Sequence, residues 1–232
     1  MNSSMPPSDQ ANTIHRYRRR FEKHGDSPET LGWLKSRQRF RFDVLASGFS
    51  IENRSILDVG CGFGDLNHTL RSLGVPYTYH GVDLVPDFIE VARRKFPEPF
   101  IRFTAGEFLK QEFDQEFDVI FSSGVFNHVL EEIDSYVFIE AFMKKAFQMS
   151  SVGFAFDFLS DRVDFQQEHN FHARPERILE MAFSLSKNVV LRNDYMPFEF
   201  SIFVYKEQSF TKDLLLFDRY LSQYLDQREE TP

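Results

Sequence analysis

Three glycines and an acid stand close together in one short stretch, where they are spaced to bind a ligand. The stretch reads Ile56-Leu-Asp-Val-Gly-Cys-Gly-Phe-Gly-Asp-Leu66. The apolar residues before Gly60 predict a buried strand, and the three glycines allow a tight turn that brings the backbone close to a ligand. Asp58 lies two residues before the first glycine. We therefore expect a strand, a ligand-binding turn and then a helix.

The glycine spacing differs from two familiar nucleotide-binding turns. A dinucleotide-binding turn has a third glycine, or an alanine, where this chain has Asp65. A phosphate-binding P-loop closes with Gly-Lys-Ser or Gly-Lys-Thr, and this stretch has no such sequence. The pattern weakens a nicotinamide-dependent function and argues against a P-loop function.

The residues around this turn alternate between strand and helix patterns, which is typical of a parallel sheet with right-handed crossovers. The predicted strands are 55–59, 77–83, 100–105, 117–122, 151–158, 188–193 and 198–205. The predicted helices between them are 65–73, 87–95, 134–149 and 176–185. The connection around Pro197 is too short for a parallel crossover, so the last two strands should form an antiparallel hairpin.

A chain of 232 residues is long enough for one α/β domain with additions. We predict a flexible tail at 1–12, an N-terminal helical cap at 13–50, a cofactor-binding core at 51–206, and a C-terminal helix and tail at 207–232. The cap should hold helices near 14–24 and 29–49, placed to fold over the glycine turn. The apolar stripe of a helix at 209–227 should pack on the core, or on a second copy, so we expect a monomer or a homodimer.

The composition is that of a globular protein, with 42% hydrophobic and 27% charged residues. Most of the 28 phenylalanines should fill the core, and the surplus favours an aromatic pocket. The net charge is −8, although the first fifty residues carry nine Lys or Arg against five Asp or Glu. This acidic body argues against nucleic-acid binding, which needs a continuous basic face.

The single cysteine, Cys61, permits no internal disulfide and no cysteine cluster for zinc. No apolar run approaches the ~20 residues that a membrane-spanning helix needs, and the N-terminal residues lack a signal-peptide core. We predict a cytoplasmic protein without membrane association.

The sequence Leu57-Asp-Val-Gly-Cys-Gly-Phe-Gly64, with Asp83 ending the second strand, resembles the class I S-adenosylmethionine-dependent methyltransferases. The resemblance covers roughly residues 55–205. It implies a Rossmann-like α/β fold with a seven-stranded, mostly parallel sheet, and S-adenosylmethionine as the cofactor. The N-terminal pattern that includes Tyr17 and Trp33 is more loosely similar to small bacterial methyltransferase-like proteins of undefined substrate.

The resemblance also implies roles for individual residues. The glycine turn and Asp58 should form the wall beside the methionine part of the cofactor, and Asp83 should accept the ribose hydroxyls. Glu107 and Phe108 should contact adenine, although the family usually has aspartate in place of Glu107, and a solvated loop acid is the alternative. The predicted cofactor-binding residues are Asp58, Gly60, Cys61, Gly62, Asp83, Leu84, Glu107, Phe108 and Ser122.

Residues after the fourth and fifth strands should meet the acceptor, because ligands lie beyond the carboxyl ends of parallel strands. His128 is the candidate general base, and a buried histidine that fixes the loop is the equal alternative. The candidate acceptor-binding residues are Ser123, Phe126, Asn127, His169, His172 and Tyr195. The loop that holds His169 and His172 has no third spaced ligand, so no metal is predicted.

The predicted function is methyl transfer to an oxygen or nitrogen atom of a small-molecule acceptor. Four arginines at 16, 18, 19 and 20 mildly favour an anionic acceptor. The best-known amino-group methylation signature, Asn/Asp-Pro-Pro-Tyr/Phe, does not follow the fourth strand. The alternative is a methyltransferase-like scaffold or regulatory protein that binds the cofactor without turnover.

Overall fold

The computed structural model describes residues 4–33 and 35–207. Its strands are β1 (Arg54–Val59), β2 (Tyr77–Asp83), β3 (Ile101–Ala105), β4 (Phe117–Ser122), β5 (Ser150–Leu159), β6 (Val189–Arg192) and β7 (Glu199–Tyr205). Its α-helices are α1 (Pro7–His24), α2 (Lys35–Ala46), α3 (Leu66–Ser72), α4 (Pro86–Lys95), α5 (Ser135–Met149) and α6 (Pro175–Leu185). A 3₁₀ turn, Phe108–Lys110, follows β3.

The strands form one seven-stranded sheet in the order β3-β2-β1-β4-β5-β7-β6. β1 lies parallel to both β2 and β4, whereas β7 is antiparallel to its neighbours β5 and β6. The predicted sheet and its antiparallel terminal hairpin are confirmed. The chain leaves β1 in one direction along the sheet and returns to β4 in the other, so a crevice opens beyond the carboxyl ends of these strands.

The core lies on both faces of the sheet, as the alternation along β5 shows. Phe154, Phe156 and Phe158 pack on one face against α5 and α6, whereas Ala155 belongs to the opposite face with α2, α3 and α4. Successive side chains of a strand point to opposite faces, so a strand covered by helices on both sides is apolar throughout. The many phenylalanines therefore serve mainly to fill two helix–sheet layers.

The prediction of a flexible tail at residues 1–12 is wrong from Pro7 onward, because α1 begins there. Proline suits the first helical position, where its missing N–H would have no partner. The carboxylate of Asp9 is 3% exposed and accepts hydrogen bonds from the backbone N–H groups of Glu131 and Glu132, at 2.9 and 3.2 Å. Asp9 and Glu131 are 122 positions apart. Their contact anchors α1, and the composition of residues 1–12 could not predict it.

The second cap helix begins later than predicted, at Lys35 instead of 29. Residues 27–32 form turns, and the hydroxyl of Thr30 donates to the carbonyl of Gly25 at 2.6 Å. α2 packs on a face of the sheet, while α1 and the loop after it lie over the glycine turn. The C-terminal helix predicted at 209–227 lies outside the described residues. Within the described ranges, no helix is both long and apolar enough to cross a bilayer.

Candidate active site

The glycine turn joins β1 to α3 and is held against the end of β2. The backbone N–H groups of Gly60 and Cys61 both donate to the carbonyl of Val82, at 2.7 and 3.1 Å. Gly60 has a φ of +76°, and a Cβ there would lie 2.1 Å from Cγ2 of Val125. Only glycine permits this close approach of the loop after β4.

Asp83 connects the glycine turn to the end of β2. Its Oδ2 accepts the backbone N–H of Gly62 at 2.8 Å, and its Oδ1 accepts that of Val85 at 2.8 Å. Burial raises the pKa of Asp83 to about 6, although these backbone N–H groups act in the opposite direction. Each oxygen keeps a second lone pair, so the carboxylate can still accept hydroxyl groups of a ligand.

Asp58 places a second buried carboxylate beside the turn. Its side chain is 3% exposed, and the hydroxyl of Tyr79 donates to Oδ2 at 2.6 Å. Burial raises the pKa of Asp58 to about 7, against the lowering effect of Tyr79 and with a further rise from the negative charge of Asp83. A cation bound next to these carboxylates would stabilise their ionised forms.

One cavity at the carboxyl ends of the strands collects most of the predicted cofactor-binding residues. Those that line it are Asp58, Gly60, Cys61, Gly62, Asp83, Leu84, Glu107 and Phe108. Ser122 does not line it, because its buried hydroxyl donates to the carbonyl of Val59 at 2.9 Å inside the sheet. We call this space the first cavity.

Glu107 has a capping role that the sequence did not predict. It is 9% exposed, so it is no solvated loop acid. Its Oε1 accepts the N–H of Leu109 at 3.2 Å and its Oε2 that of Lys110 at 3.0 Å, so the side chain caps the 3₁₀ turn. Phe108 is buried, with its ring centroid 4.6 Å from that of Phe142. Any contact of Glu107 with adenine would have to use the lone pairs of Oε1 and Oε2 that these backbone N–H groups leave unused.

Residues of the N-terminal segment form one wall of the first cavity. Tyr17 of α1 lines it together with Leu31 and Trp33 from the loop between α1 and α2. A Cβ at Gly62 would lie 3.0 Å from Cδ1 of Leu31, so this loop rests directly on the glycine turn. The cap position was predicted, but Leu31 carries no motif that would have marked it as part of the site.

A second cavity adjoins the first. Five residues line both: Tyr17, Leu31, Trp33, Gly124 and His128. Its other walls come from α1, α2, the loop after β5 and the connection between β6 and β7. Of the predicted acceptor-binding residues, Asn127 and His172 line this second cavity, whereas Ser123 and Phe126 line the first.

His128 stands on the wall between the two cavities. The Tyr17 hydroxyl lies 3.4 Å from its Nε2, and the backbone of His169 forms a hydrogen bond with the ring. Burial lowers the pKa of His128 to about 4, and the charges of Arg16 and Arg20 lower it further, while the backbone of His169 acts in the opposite direction. The imidazole is therefore neutral at pH 7, and its lowered pKa makes it a weaker base than an ordinary histidine.

Asp157 of β5 fixes the loop that carries these residues. Its Oδ1 accepts the N–H of Gly124 at 2.7 Å, and its Oδ2 accepts the hydroxyl of Ser123. Burial raises the pKa of Asp157, with the charge of Arg41 acting against it. Sequence reasoning did not single out Asp157, although an acid inside an apolar strand is a signal that could have found it.

Arg41 and Glu199 form a buried ion pair that the sequence analysis also missed. Nε of Arg41 donates to Oε2 of Glu199 at 2.6 Å, and Nη2 donates to Oε1. Burial raises the pKa of Glu199, and the hydrogen bonds and charge of Arg41 counteract this rise. The guanidinium carbon also lies 3.7 Å from the ring centroid of Trp33. The two residues are 158 positions apart, so no local pattern could pair them.

Two of the other candidates lie outside both cavities, and a third makes hydrogen bonds within its own loop. His169 and Tyr195 line neither cavity, and the Tyr195 hydroxyl lies 2.7 Å from Oγ of Ser201. His172 lines the second cavity, but its Nδ1 lies 2.8 Å from the carbonyl oxygen of Ser160, so its ring holds the loop after β5. Across residues 4–33 and 35–207, no three His, Cys, Asp or Glu side chains are grouped to hold a metal ion.

Comparisons with known proteins agree with this architecture. Residues 56–144 match the family model described as a methyltransferase domain. A Mycobacterium tuberculosis protein, named as a proposed methyltransferase, is 31% identical over 157 residues, which are 66% of this chain and 93% of the relative. A ubiquinone biosynthesis O-methyltransferase of Hydrogenovibrio crunogenus is 30% identical over 108 residues, which are 45% of this chain and 44% of that enzyme.

A solved structure shows the same fold at low sequence identity. It is the magnesium protoporphyrin IX methyltransferase of Synechocystis PCC 6803 with bound S-adenosylmethionine, which is 13% identical. The alignment covers 89% of this chain and all of that one, with a TM-score of 0.59. The family resemblance found in the sequence is confirmed: this chain belongs to the methyltransferase family and has the class I, Rossmann-like fold.

Proposed function

We propose that this protein transfers a methyl group from S-adenosylmethionine to an oxygen or nitrogen atom of a small-molecule acceptor. The observation that carries the proposal is the pair of buried carboxylates, Asp58 and Asp83, beside the glycine turn in the first cavity. Their pKa values are raised to about 7 and about 6 because burial disfavours their charge. A ligand with cationic groups and a ribose diol, as S-adenosylmethionine has, suits both carboxylates.

Different residues of the first cavity would contact different parts of this cofactor. Asp58 and the glycine turn would hold the amino-acid part, and Asp83 would accept the ribose hydroxyls. Glu107 and Phe108, at the end of β3, would lie beside adenine. Leu84, which follows Asp83, adds an apolar wall.

When bound, S-adenosylmethionine supplies an electrophilic methyl carbon: a lone pair of the acceptor forms the new bond while the C–S bond breaks and its electrons return to sulfur. The protein contributes alignment and exclusion of water, which the cover of Tyr17, Leu31 and Trp33 provides. Neutral His128 takes the proton that a hydroxyl acceptor loses.

The second cavity supports a small-molecule acceptor, because it adjoins the first and shares Tyr17, Trp33 and His128 with it. One relative is named as an O-methyltransferase, which favours oxygen. That relative is matched over 44% of its length, so its acceptor is not carried over to this protein.

Isothermal titration calorimetry with S-adenosylmethionine tests the proposal. We expect the wild type to bind, and Asp83→Ala to bind at least about tenfold more weakly, because hydrogen bonds to a charged group contribute ~1.5–3 kcal/mol. Asp87→Ala is the matched control, since Asp87 lies four residues away and forms an exposed ion pair with Arg18. Equal affinities of the wild type and Asp83→Ala would contradict the assigned ribose contact.

Turnover separates an enzyme from a scaffold that only binds the cofactor. Release of S-adenosylhomocysteine should depend on an added acceptor and should fall in Asp83→Ala at subsaturating cofactor. Cofactor binding without acceptor-dependent release, over a broad panel of hydroxyl and amino compounds, would favour the scaffold instead.

A further inference from the structure

Positively charged side chains outnumber negatively charged ones in the lining of the second cavity. Four arginines, at 20, 37, 41 and 162, face two carboxylates, Asp164 and Glu199. The excess is positive although the whole chain carries a net charge of −8. Within the described residues, Arg20 and Arg37 form no ion pair with a carboxylate, whereas Arg162 pairs with acids outside the cavity lining. The cavity thus has guanidinium groups that are free to bind an anion.

Arg41 is the most specific of these groups because it is already held in place. Its side chain is 2% exposed, Glu199 accepts hydrogen bonds from Nε and Nη2, and the ring of Trp33 lies against its guanidinium face. Nη1 remains, buried and without a hydrogen-bond partner in the described chain. A buried donor without a partner is unfavourable, so Nη1 lacks an acceptor atom that a bound ligand can supply.

One more buried polar atom on the wall of this cavity lacks a partner in the described chain. It is Oδ1 of Asn127, in the loop after β4. The next residue, His128, lines both cavities, so Asn127 lies beside the residue that separates them. An amide oxygen accepts hydrogen bonds, and its natural complement is a hydroxyl or an amino group.

We propose that the acceptor is a small carboxylic acid that also bears a hydroxyl or amino group. Its carboxylate binds Nη1 of Arg41 together with Arg37 and Arg20, and its hydroxyl or amino group donates to Oδ1 of Asn127. The second group is the one that is methylated. Arg41 is paired with Glu199, and Arg162 is paired with acids outside the cavity lining. Arg20 and Arg37 against Asp164 then leave one net positive charge, which fits a singly charged carboxylate better than a doubly charged phosphate. This inference rests on the proposed methyltransferase function.

The proposed methyl transfer involves only groups that lie in the two cavities. The hydroxyl oxygen or amino nitrogen forms the bond to the methyl carbon, the C–S bond breaks, and its electron pair stays on sulfur. As the new bond forms, the released proton leaves its hydrogen bond to Oδ1 of Asn127 and passes to the neutral imidazole of the adjacent His128. Burial, and after it the charges of Arg16 and Arg20, lower the pKa of this imidazole, and a carboxylate bound to Arg20 would offset part of the arginine charge.

A panel of hydroxy- and amino-carboxylic acids, each paired with its carboxamide, tests the inference. The full chain is incubated with S-adenosylmethionine and each compound, and release of S-adenosylhomocysteine is measured. We expect methylation of at least one acid, with a KM at least about tenfold below that of its amide, which lacks the charge.

Arginine variants then locate the carboxylate. Arg37→Gln and Arg20→Gln should each raise the KM of the acid about tenfold with little change in cofactor affinity. Arg39→Gln and Arg19→Gln are matched controls, since both residues are exposed on the same helices and line neither cavity, and should leave the KM within about twofold. Arg41→Lys keeps a positive charge beside Glu199 and should raise the KM further.

Three outcomes would overturn the inference. Amides that react as well as their acids would show that the charge is not recognised. An unchanged KM in both Arg37→Gln and Arg20→Gln would place the carboxylate elsewhere. A protein that binds S-adenosylmethionine but methylates none of the acids would refute this acceptor class and leave the proposed cofactor in place, whereas a protein that does not bind the cofactor would remove both proposals.

Discussion

Replacing Asp58 by asparagine should stabilise the protein and weaken cofactor binding at the same time. Asp58 is 3% exposed and has one side-chain hydrogen bond, from the hydroxyl of Tyr79. Asparagine has nearly the same shape, and its carbonyl oxygen can accept that hydrogen bond. The substitution therefore removes the charge from the site with little change in packing.

The stabilisation follows from the pKa of Asp58, which burial raises from 3.8 to about 7. A raised pKa means that the folded state prefers the protonated acid. The carboxyl thus contributes stability that is fully present below about pH 4 and is lost as the pH rises through 7. A shift of this size corresponds to roughly 4 kcal/mol. At pH 8 Asp58→Asn should be more stable by ~2–4 kcal/mol, and near pH 4 the difference should vanish.

Thermal unfolding at pH 8, 6 and 4.5 measures this pH dependence directly. In a domain of this size, 1 kcal/mol shifts the melting temperature by roughly 2–4 °C, so the effect at pH 8 is well above experimental error. Calorimetry with S-adenosylmethionine should show weaker binding to the variant, because the carboxylate that attracts the cationic cofactor is gone.

Asp118→Asn is the control with the opposite sign. Burial alone would raise the pKa of Asp118, but hydrogen bonds from Ser55 and Ser151 and the charge of Arg54 lower it below its usual value. Its ionised form therefore stabilises the fold above pH 4, and the variant should be less stable at pH 8. The prediction for Asp58 would be refuted if Asp58→Asn were also less stable at pH 8, or if its effect did not change with pH. Either result would show that the buried charge of Asp58 does not destabilise the folded state.

Two further predictions concern the base and the cap. His128→Gln should lower turnover of a hydroxyl acceptor by about 100-fold or more, while cofactor affinity stays within about twofold. Single-turnover kinetics measures the rate and calorimetry the affinity. Equal rates in the variant and the wild type would show that His128 has a structural role only. Asp9→Ala should free the start of α1 from Glu131 and Glu132, destabilise this contact by ~2 kcal/mol, and speed limited proteolysis within α1. Unchanged cleavage would show that other contacts hold the helix.

The sheet and most of its helices were predictable because local signals mark their ends. Pro86 and Pro175 stand at helix starts, where proline is favoured, and both helices begin there in the structure. The short connection at Pro197 forced the antiparallel hairpin, which the pairing of β6 with β7 confirms. Glycine spacing and the acid after β2 were enough to point to the family. These features depend on a few neighbouring residues, which a sequence displays directly.

The parts that were not predictable depend on residues far apart in the chain. The capping role of Glu107 required knowledge of a 3₁₀ turn, and aspartate or serine is the more usual sign of a cap. The Arg41–Glu199 pair joins α2 to the start of β7 in the interior. No local pattern distinguishes Arg41 from Arg37 and Arg39 of the same helix. Side chains of the second cavity were therefore the least visible part of the site.

The two cavities carry opposite charge, and the division suits a reaction between a cationic donor and an anionic acceptor. Buried carboxylates at Asp58 and Asp83 favour a positive ligand in the first cavity, whereas Arg20, Arg37 and Arg41 favour a negative ligand in the second. Methyl transfer removes the sulfonium charge, so the product of the donor interacts less strongly with the carboxylates than the donor did. Under the proposed function, the same electrostatics that assemble the two substrates would therefore weaken the hold on one product after each turnover.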